Sequence, residues 1–301
     1  MDDDSLRQVR RFNRTVTRHI GALDDDYLGS GRPLGEARLL FEVGQDGATV
    51  RDLRSRLALD SGYISRMLRA LEAQKLTVSR PDTSDGRVRR VTLTAKGKRL
   101  WQSLDRRSED FAASLLAPLP ASQRERLLKA MAEVERCLRA SAVTIDVADP
   151  SSREARACLE AYFAELNARF DDGFDPERTV SAHPEELVPP LGCFLVARLD
   201  GEAVGCGALK IHRGGWGEIK RMWVAPFARG LGIAQRLLDS LEVRAVTAGV
   251  DVLRLDTNRS LAQARKLYAR NGYVEIAPYN ANPYADYWFE KRGLRRGQDR
   301  P

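Results

Sequence analysis

The sequence predicts a two-domain chain: a mainly α winged helix-turn-helix over residues 1–141, then an α/β mixed-sheet domain over residues 142–293, with 294–301 as a loose tail. Three observations carry this. A chain of 301 residues exceeds what one hydrophobic core fills efficiently, so two domains of about 150 residues are the natural division. Apolar residues recur at helical spacing through the first half, whereas strand-like alternation separated by helices fills the second. Charge is divided too: residues 1–140 hold 27 Lys/Arg against 20 Asp/Glu, and 141–301 hold 22 of each, so the net +7 lies entirely in the first half. Residues 51–99 alone carry 13 basic against 5 acidic side chains, the local excess that a polyanion-binding face requires.

Val9, Phe12, Val16, Ile20 and Leu23, then Leu34, Leu39, Leu40 and Val43, mark two helices, each with one buried face. A short helix over 49–57 follows, then the turn Leu59-Asp60-Ser61-Gly62, then a helix whose apolar side is Ile64, Met67, Leu68 and Leu71. Asp60 or Ser61 can cap it. Opposite the apolar stripe lie Gly62, Ser65, Arg66 and Arg69, with Ser61 at the start; small residues and guanidinium groups let a helix enter a major groove and reach base edges or phosphates. Residues 76–80 and 87–93 read as strands around a polar tip at 81–86, with Asp85-Gly86 as the turn signal. Such a hairpin is a wing, able to place Arg87 or Arg89 in the minor groove.

Arg80-Pro81-Asp82, Asp85-Gly86-Arg87 and Leu93-Thr94-Ala95-Lys96-Gly97 stand in the wing order of the MarR family of dimeric regulators, which this half resembles. The resemblance implies duplex DNA as partner, Asp85 orienting a wing arginine while Arg87 enters the groove, and a homodimer built through the first and last helices of the domain. The last two helices are read over 96–116 and 122–139. One departure is Lys75, where such proteins often close the recognition helix with glycine; a left-handed lysine costs about 1 kcal/mol.

The junction falls at 141–143. Beyond it come a strand at 143–147, a helix at 152–169, an irregular stretch with Pro184, Pro189 and Pro190, and strands at 193–199 and 203–211 linked by Asp200-Gly201. After a glycine-rich loop and a strand over 218–224 stands Arg229-Gly230-Leu231-Gly232-Ile233-Ala234, opening a helix that runs to about residue 248. A glycine-rich turn between strand and helix exposes amides at the positive end of the helix dipole, which suits a pyrophosphate. The spacing is neither the dinucleotide pattern nor a phosphate-binding Walker loop. It is similar to Arg/Gln-x-x-Gly-x-Gly/Ala of the GNAT acetyltransferase superfamily. The following strand at 252–256, Asn258, Tyr268 and Asn271-Gly272-Tyr273 keep that superfamily's order over roughly 143–291.

This second resemblance implies acetyl-CoA as cofactor, bound by Arg229, Gly230, Leu231, Gly232, Ile233 and Ala234. Met222, Trp223 and Val224 would lie along its arm, a main-chain N–H near Met222 or Trp223 would polarise the thioester, and Asn258 would touch the arm. It also implies Glu218 as general base, direct or through water, and Tyr268 as general acid. A lysine-like amine of pKa about 10.4 must shed a proton at about 4 to 5 kcal/mol, and the leaving thiol, pKa near 8.5, needs one. Phe163, Phe170, Asp172, Phe174, Tyr279, Asn280, Asn282 and Tyr284 are the expected acceptor walls, with no metal required.

The four cysteines fall in no paired spacing and are expected as buried, inert thiols. With an acidic N-terminus and no apolar run near the roughly 18 residues that span a bilayer, a cytoplasmic protein without membrane contact is expected. The leading function is a DNA-binding regulator joined to an N-acetyltransferase for a small amine or amino acid. Its alternatives are a regulator whose second domain only senses acetyl-CoA or a ligand, and a protein-lysine acetyltransferase.

Overall fold

The computed structural model describes residues 2–82, 88–179 and 182–294, in two compact units, Met1–Lys129 and Ala130–Pro301. The first contains α1 (Asp3–His19), α2 (Leu34–Val43), β1 (Ala48–Thr49), α3 (Val50–Leu57), α4 (Ser61–Ala73), β2 (Thr77–Pro81), β3 (Arg89–Leu93) and α5 (Ala95–Leu116). Next comes α6 (Ala121–Ser141), within which the boundary between the units falls, earlier than the 141–143 junction read from the sequence. The physical reason lies in the second unit: Arg136 donates to the Gly230 carbonyl at 2.8 Å, and Arg236 donates to the carbonyls of Ala140 and Val143 at 3.0 and 2.8 Å. The C-terminal half of α6 is thereby tied to that unit's own loops.

In the first unit the order β1-β3-β2 makes a three-stranded antiparallel sheet, with Thr77 opposite Leu93 and Pro81 opposite Arg89. Thr49 and Asp52 form a reciprocal capping box that starts α3. Of the two candidate caps for α4, Asp60 is the one used: its carboxylate accepts the Tyr63 amide at 2.8 Å. At the other end Lys75 takes the left-handed conformation (φ 58°), while the amides of Lys75 and Leu76 reach back to the carbonyls of Glu72 and Leu71. That is a Schellman closure made with lysine. Gly97 is required for another reason: a Cβ there would lie 2.0 Å from the Leu76 carbonyl, where the first turn of α5 abuts the wing strand. Leu39, Leu53, Ile64, Leu71 and Val91 form the core.

The second unit continues with β4 (Thr144–Val147), α7 (Arg153–Arg169), β5 (Gly192–Leu199), β6 (Glu202–Ile211), β7 (Gly217–Val224), α8 (Ile233–Thr247), β8 (Val252–Thr257), α9 (Ala262–Arg270), β9 (Val274–Ile276) and β10 (Tyr287–Arg292). The seven strands run β4-β5-β6-β7-β8-β10-β9, antiparallel except for β7 beside β8. Alternation along β5 sends Leu195 and Ala197 to the cluster containing Leu237 and Leu241 of α8, and Phe194 and Val196 to the cluster containing Cys158 of α7. Helices therefore cover both faces.

Two expectations are corrected. The apolar stripe of α1 is not buried by the chain itself: Leu6, Val9, Phe12 and Val16 are exposed, as is Leu23 beyond its end; on α6, for which no burial was expected, Leu128, Met131, Val134 and Leu138 are exposed as well. Of the cysteines, Cys137 is exposed and only the other three are buried. The wing tip at 83–87, with the expected turn Asp85-Gly86 and Arg87, lies outside the described residues. No helix among the described residues is long and apolar enough to cross a membrane.

Candidate functional site

β7 and β8 are hydrogen-bonded at two positions only, Gly217 with Leu253 and Glu218 with Arg254. Beyond them the strands diverge, and a cleft of about 110 Å³ opens between Lys220, Arg221 and Met222 on one side and Asp256, Thr257 and Asn258 on the other. The divergence has a local cause. Pairing of β6 with β7 shifts between Cys206 and Ala208, so that two residues, Arg221 and Met222, face Gly207, and Arg221 takes a left-handed φ of 57°. Among the described residues no pairing of β7 with β8 continues along this stretch.

At the end of β7 the chain turns through residues 226–228 into Gly230 (φ 82°) and Gly232 (φ 73°), then enters α8 with no side chain capping it. A Cβ at either glycine would meet nothing within 4 Å, and the first amides of α8 are left without a side-chain cap. Leu231 and Ile233 are buried and pin the loop from beneath, which leaves only their backbone to offer a ligand. These features fit a coenzyme A pyrophosphate. The Arg229 side chain bonds the Val224 carbonyl (3.0 Å) and both oxygens of Glu165 on α7, which also accepts the Trp223 indole N–H (2.8 Å). Burial raises the Glu165 carboxyl, but the bonds from Arg229 and Trp223 hold it net below its ordinary range. Asn258 lines the cleft while bonding the Tyr284 carbonyl and the Ser260 amide.

The two expected acid–base residues are placed differently. Tyr268 stands on the cleft wall, 5% exposed, with its hydroxyl bonded to no other described residue; burial, then the Asp256 carboxylate, raise its ionisation so that the phenol keeps its proton. Glu218 sits at the last paired position of β7, where the sheet is still closed, and is not on that wall. Only 2% exposed, it receives the Tyr279 hydroxyl (3.0 Å), His212 Nε2 (2.9 Å) and Lys220 Nζ (3.1 Å). Asn280 extends the network, bonding Glu218 Oε1 (3.5 Å), Asp256 Oδ2 (2.8 Å) and the Trp288 indole (2.8 Å). Phe163, Phe170, Phe174, Asn282 and Tyr284 line the cleft; Tyr279 and Asn280 stand behind it, and Asp172 is not on the wall.

Sequence reasoning missed Asp256, Lys220, Arg221 and Tyr162, all on the cleft wall. A charged residue closing a strand of otherwise inward leucines, Leu253 and Leu255, was the available signal for Asp256.

On α4, Ser61, Gly62, Ser65, Arg66 and Arg69 all lie exposed, opposite buried Ile64, Met67, Leu68 and Leu71. Ser65 and Arg69 bond backward along the helix, to the carbonyls of Ser61 and Ser65, and Arg66 lies over the ring of Tyr63, an exposed tyrosine the sequence reading passed over. Arg89 is exposed on β3, whereas Arg90 is paired with Asp82 at 2.7 Å and braces the wing.

Comparison with known proteins accords with both units. The acetyltransferase (GNAT) family pattern matches residues 155–273 and a winged helix DNA-binding domain pattern matches 35–97. An IAA acetyltransferase of Azospirillum brasilense is 40% identical over 121 residues, spanning 40% of this chain and 78% of that protein. The uncharacterized HTH-type transcriptional regulator YdgJ of Bacillus subtilis is 28% identical over 89 residues, 30% of this chain and 54% of its own length. A GNAT-family acetyltransferase structure from Staphylococcus aureus aligns with 50% of this chain and 99% of its own, at 19% identity and a TM-score of 0.43. The chain thus belongs to the GNAT acetyltransferase family, and it carries a winged helix DNA-binding domain ahead of the acetyltransferase domain.

Proposed function

We propose that the chain transfers an acetyl group from acetyl-CoA to a small amine and binds duplex DNA as a homodimer. The observation that carries the enzymatic half is a cleft where β7 and β8 part, with a protonated tyrosine on its wall and, at the end of the same β7, a glycine turn leading into an uncapped helix. Acetyl-CoA supplies an activated thioester. The amides of residues 230–234 hold its pyrophosphate, and the edge of β7 from Met222 to Val224 pairs with its amide arm. A main-chain N–H at the bulge receives the charge developing on the carbonyl oxygen. Tyr268 gives its proton to the departing sulfur. Glu218 fixes Lys220 and, through Asn280, the strand bearing Asp256, which makes it a positioning residue in this reading. The name of the Azospirillum relative, an IAA acetyltransferase, supports a small-molecule acceptor.

The DNA half is supported by five exposed residues of α4 set on one face, together with the basic wing strand. The exposed apolar faces of α1 and α6 support dimerisation. Release of coenzyme A thiol, followed over a panel of amines, tests the enzymatic reading: turnover is expected with at least one acceptor. Tight cofactor binding with no turnover on any acceptor turns the reading into that of a sensor. Sedimentation of the protein and of a Val9→Glu, Leu138→Glu pair tests the dimer, which the substitutions are expected to dissociate.

A further inference from the structure

We infer that the acceptor is a primary amine carried on a flat apolar group, its nitrogen on the Asp256 carboxylate and the apolar group against the rings of Phe163, Phe170, Phe174 and Tyr284. This rests on the acetyltransferase reading of the same cleft. It also moves the nitrogen away from Glu218, the base that the sequence resemblance implies.

Two carboxylates compete for the amine. Glu218 is buried where the sheet is still closed, and it already receives the Tyr279 hydroxyl, His212 Nε2 and Lys220 Nζ. A further cation would have to displace one of them. Asp256 lies two residues past the last position of β8 that pairs with β7, on the cleft wall. Its two oxygens accept from Asn280 Nδ2 and Asn282 Nδ2, each at 2.8 Å. Both donors are neutral, and no cation pairs with Asp256 among the described residues: Arg254 is taken by Glu290 at 2.8 Å and Lys220 by Glu218 at 3.1 Å. An anion supported by neutral donors alone, at the wall of a largely aromatic cleft, lacks a positive partner, and an ammonium supplies one.

The surroundings of that carboxylate are fitted to the reaction. Burial first, and the Asp256 charge after it, raise the ionisation of Tyr268; burial chiefly, with the same charge as a lesser cause, raises that of Tyr162. Both tyrosines line the cleft, so a nitrogen held on Asp256 lies in the neighbourhood of the proton donor Tyr268. The rest of the wall is a cluster of half-buried rings. Phe163 stacks on Phe174 at 5.5 Å and 29°, and Tyr284 lies 5.0 Å from Phe174 and 5.7 Å from Phe170. Flat apolar groups pack on such rings, and an ammonium is drawn to their faces. An alcohol of the same shape would leave the Asp256 charge unmatched, which is how the site would tell the two apart.

In the reaction the bound ammonium first loses one proton to water at the mouth of the cleft. The N–C bond then forms and the C–S bond breaks. The proton of Tyr268 goes to sulfur, Asp256 takes the proton that the acylated nitrogen sheds, and its return to the phenolate restores both side chains.

The test uses the full chain with phenethylamine, its uncharged counterpart 2-phenylethanol, and ethylamine. With acetyl-CoA, thiol release is expected with a kcat/KM for phenethylamine above that for ethylamine by about tenfold or more, and Asp256→Asn is expected to lower the phenethylamine value by about 100-fold or more. Saturation-transfer NMR with coenzyme A present is expected to show phenethylamine bound about tenfold or more tightly than 2-phenylethanol. Asp256→Asn should erase that preference and Glu218→Gln should keep it, with calorimetry reporting coenzyme A affinity unchanged in both. Ethylamine turned over as well as phenethylamine, or a preference that survives Asp256→Asn, overturns the inference and leaves the acetyltransferase reading standing. If Asp256→Asn also loses coenzyme A, or if no amine reacts, the binding preference of the unaltered chain decides, and its absence overturns the inference. A chain that neither binds coenzyme A nor turns it over removes the acetyltransferase reading, and this inference with it.

Discussion

On α4, Arg66 and Arg69 stand exposed with no carboxylate paired to either among the described residues; around the start of β7, Glu218 and Lys220 face each other within a shell of His212, Tyr279 and Asn280. The difference is one of solvent. Exposed cations keep their hydration and counterions, so they attract any polyanion and release those ions on contact. Enclosed charges have lost their water and hold because each is matched in place. The first arrangement suits a long, uniform, salt-sensitive partner, and the second a small ligand that must fit a fixed pattern.

The largest effect that could break this contrast is at Tyr268. Tyr268→Phe is expected to lower kcat by about 100-fold or more and to leave the calorimetric affinity for coenzyme A nearly unchanged; an equal loss in both would mean that the ring only packs. Next, Arg66→Ala with Arg69→Ala is expected to weaken duplex binding by about 10- to 100-fold and to flatten its salt dependence by about two ions. A gel-shift series over salt reads both, and no change would remove α4 from the interface. Gly232→Ala should weaken coenzyme A binding by about tenfold through crowding at the cradle, and should lower Tm by a few degrees through about 1 kcal/mol of backbone strain at that position. Lys75→Gly should stabilise the first unit by up to about 1 kcal/mol without altering DNA affinity, as chemical denaturation would show.

The mildest expected effect is with pH. Glu165, raised by burial but lowered further by Arg229 and Trp223, and Glu186, lowered by Lys210, both titrate below their unfolded values. Their contribution is therefore complete above a pH of about 4.3, the unfolded value, and is lost as pH falls through the folded one. A Tm that rises on acidification over that range would contradict the pairing.

The helices and most strands were legible because each depends on its own residues: the Asp60 cap, the Lys75 closure and the loop at 229–234 are local patterns. Glu218 was legible as a position but not as an environment, since Lys220, His212 and Tyr279 come to it from different elements. Asp256 and Arg221 were passed over for the same reason. That both line the cleft depends on where β7 stops pairing with β8, a register that neither strand states alone. β10 was hidden because its stretch is half charged and follows a segment rich in proline and asparagine.

Two hydrogen-bonded positions join β4 through β7 to the block formed by β8, β10 and β9. A molecule laid into that gap would behave as an eighth strand and staple the two blocks together, so coenzyme A should act as part of the architecture as well as a reactant. Amides along the inner edges of β7 and β8 should exchange with deuterium quickly in its absence and slowly when it is bound. At a ligand concentration 100 times Kd the gain in global stability should be about 2.7 kcal/mol.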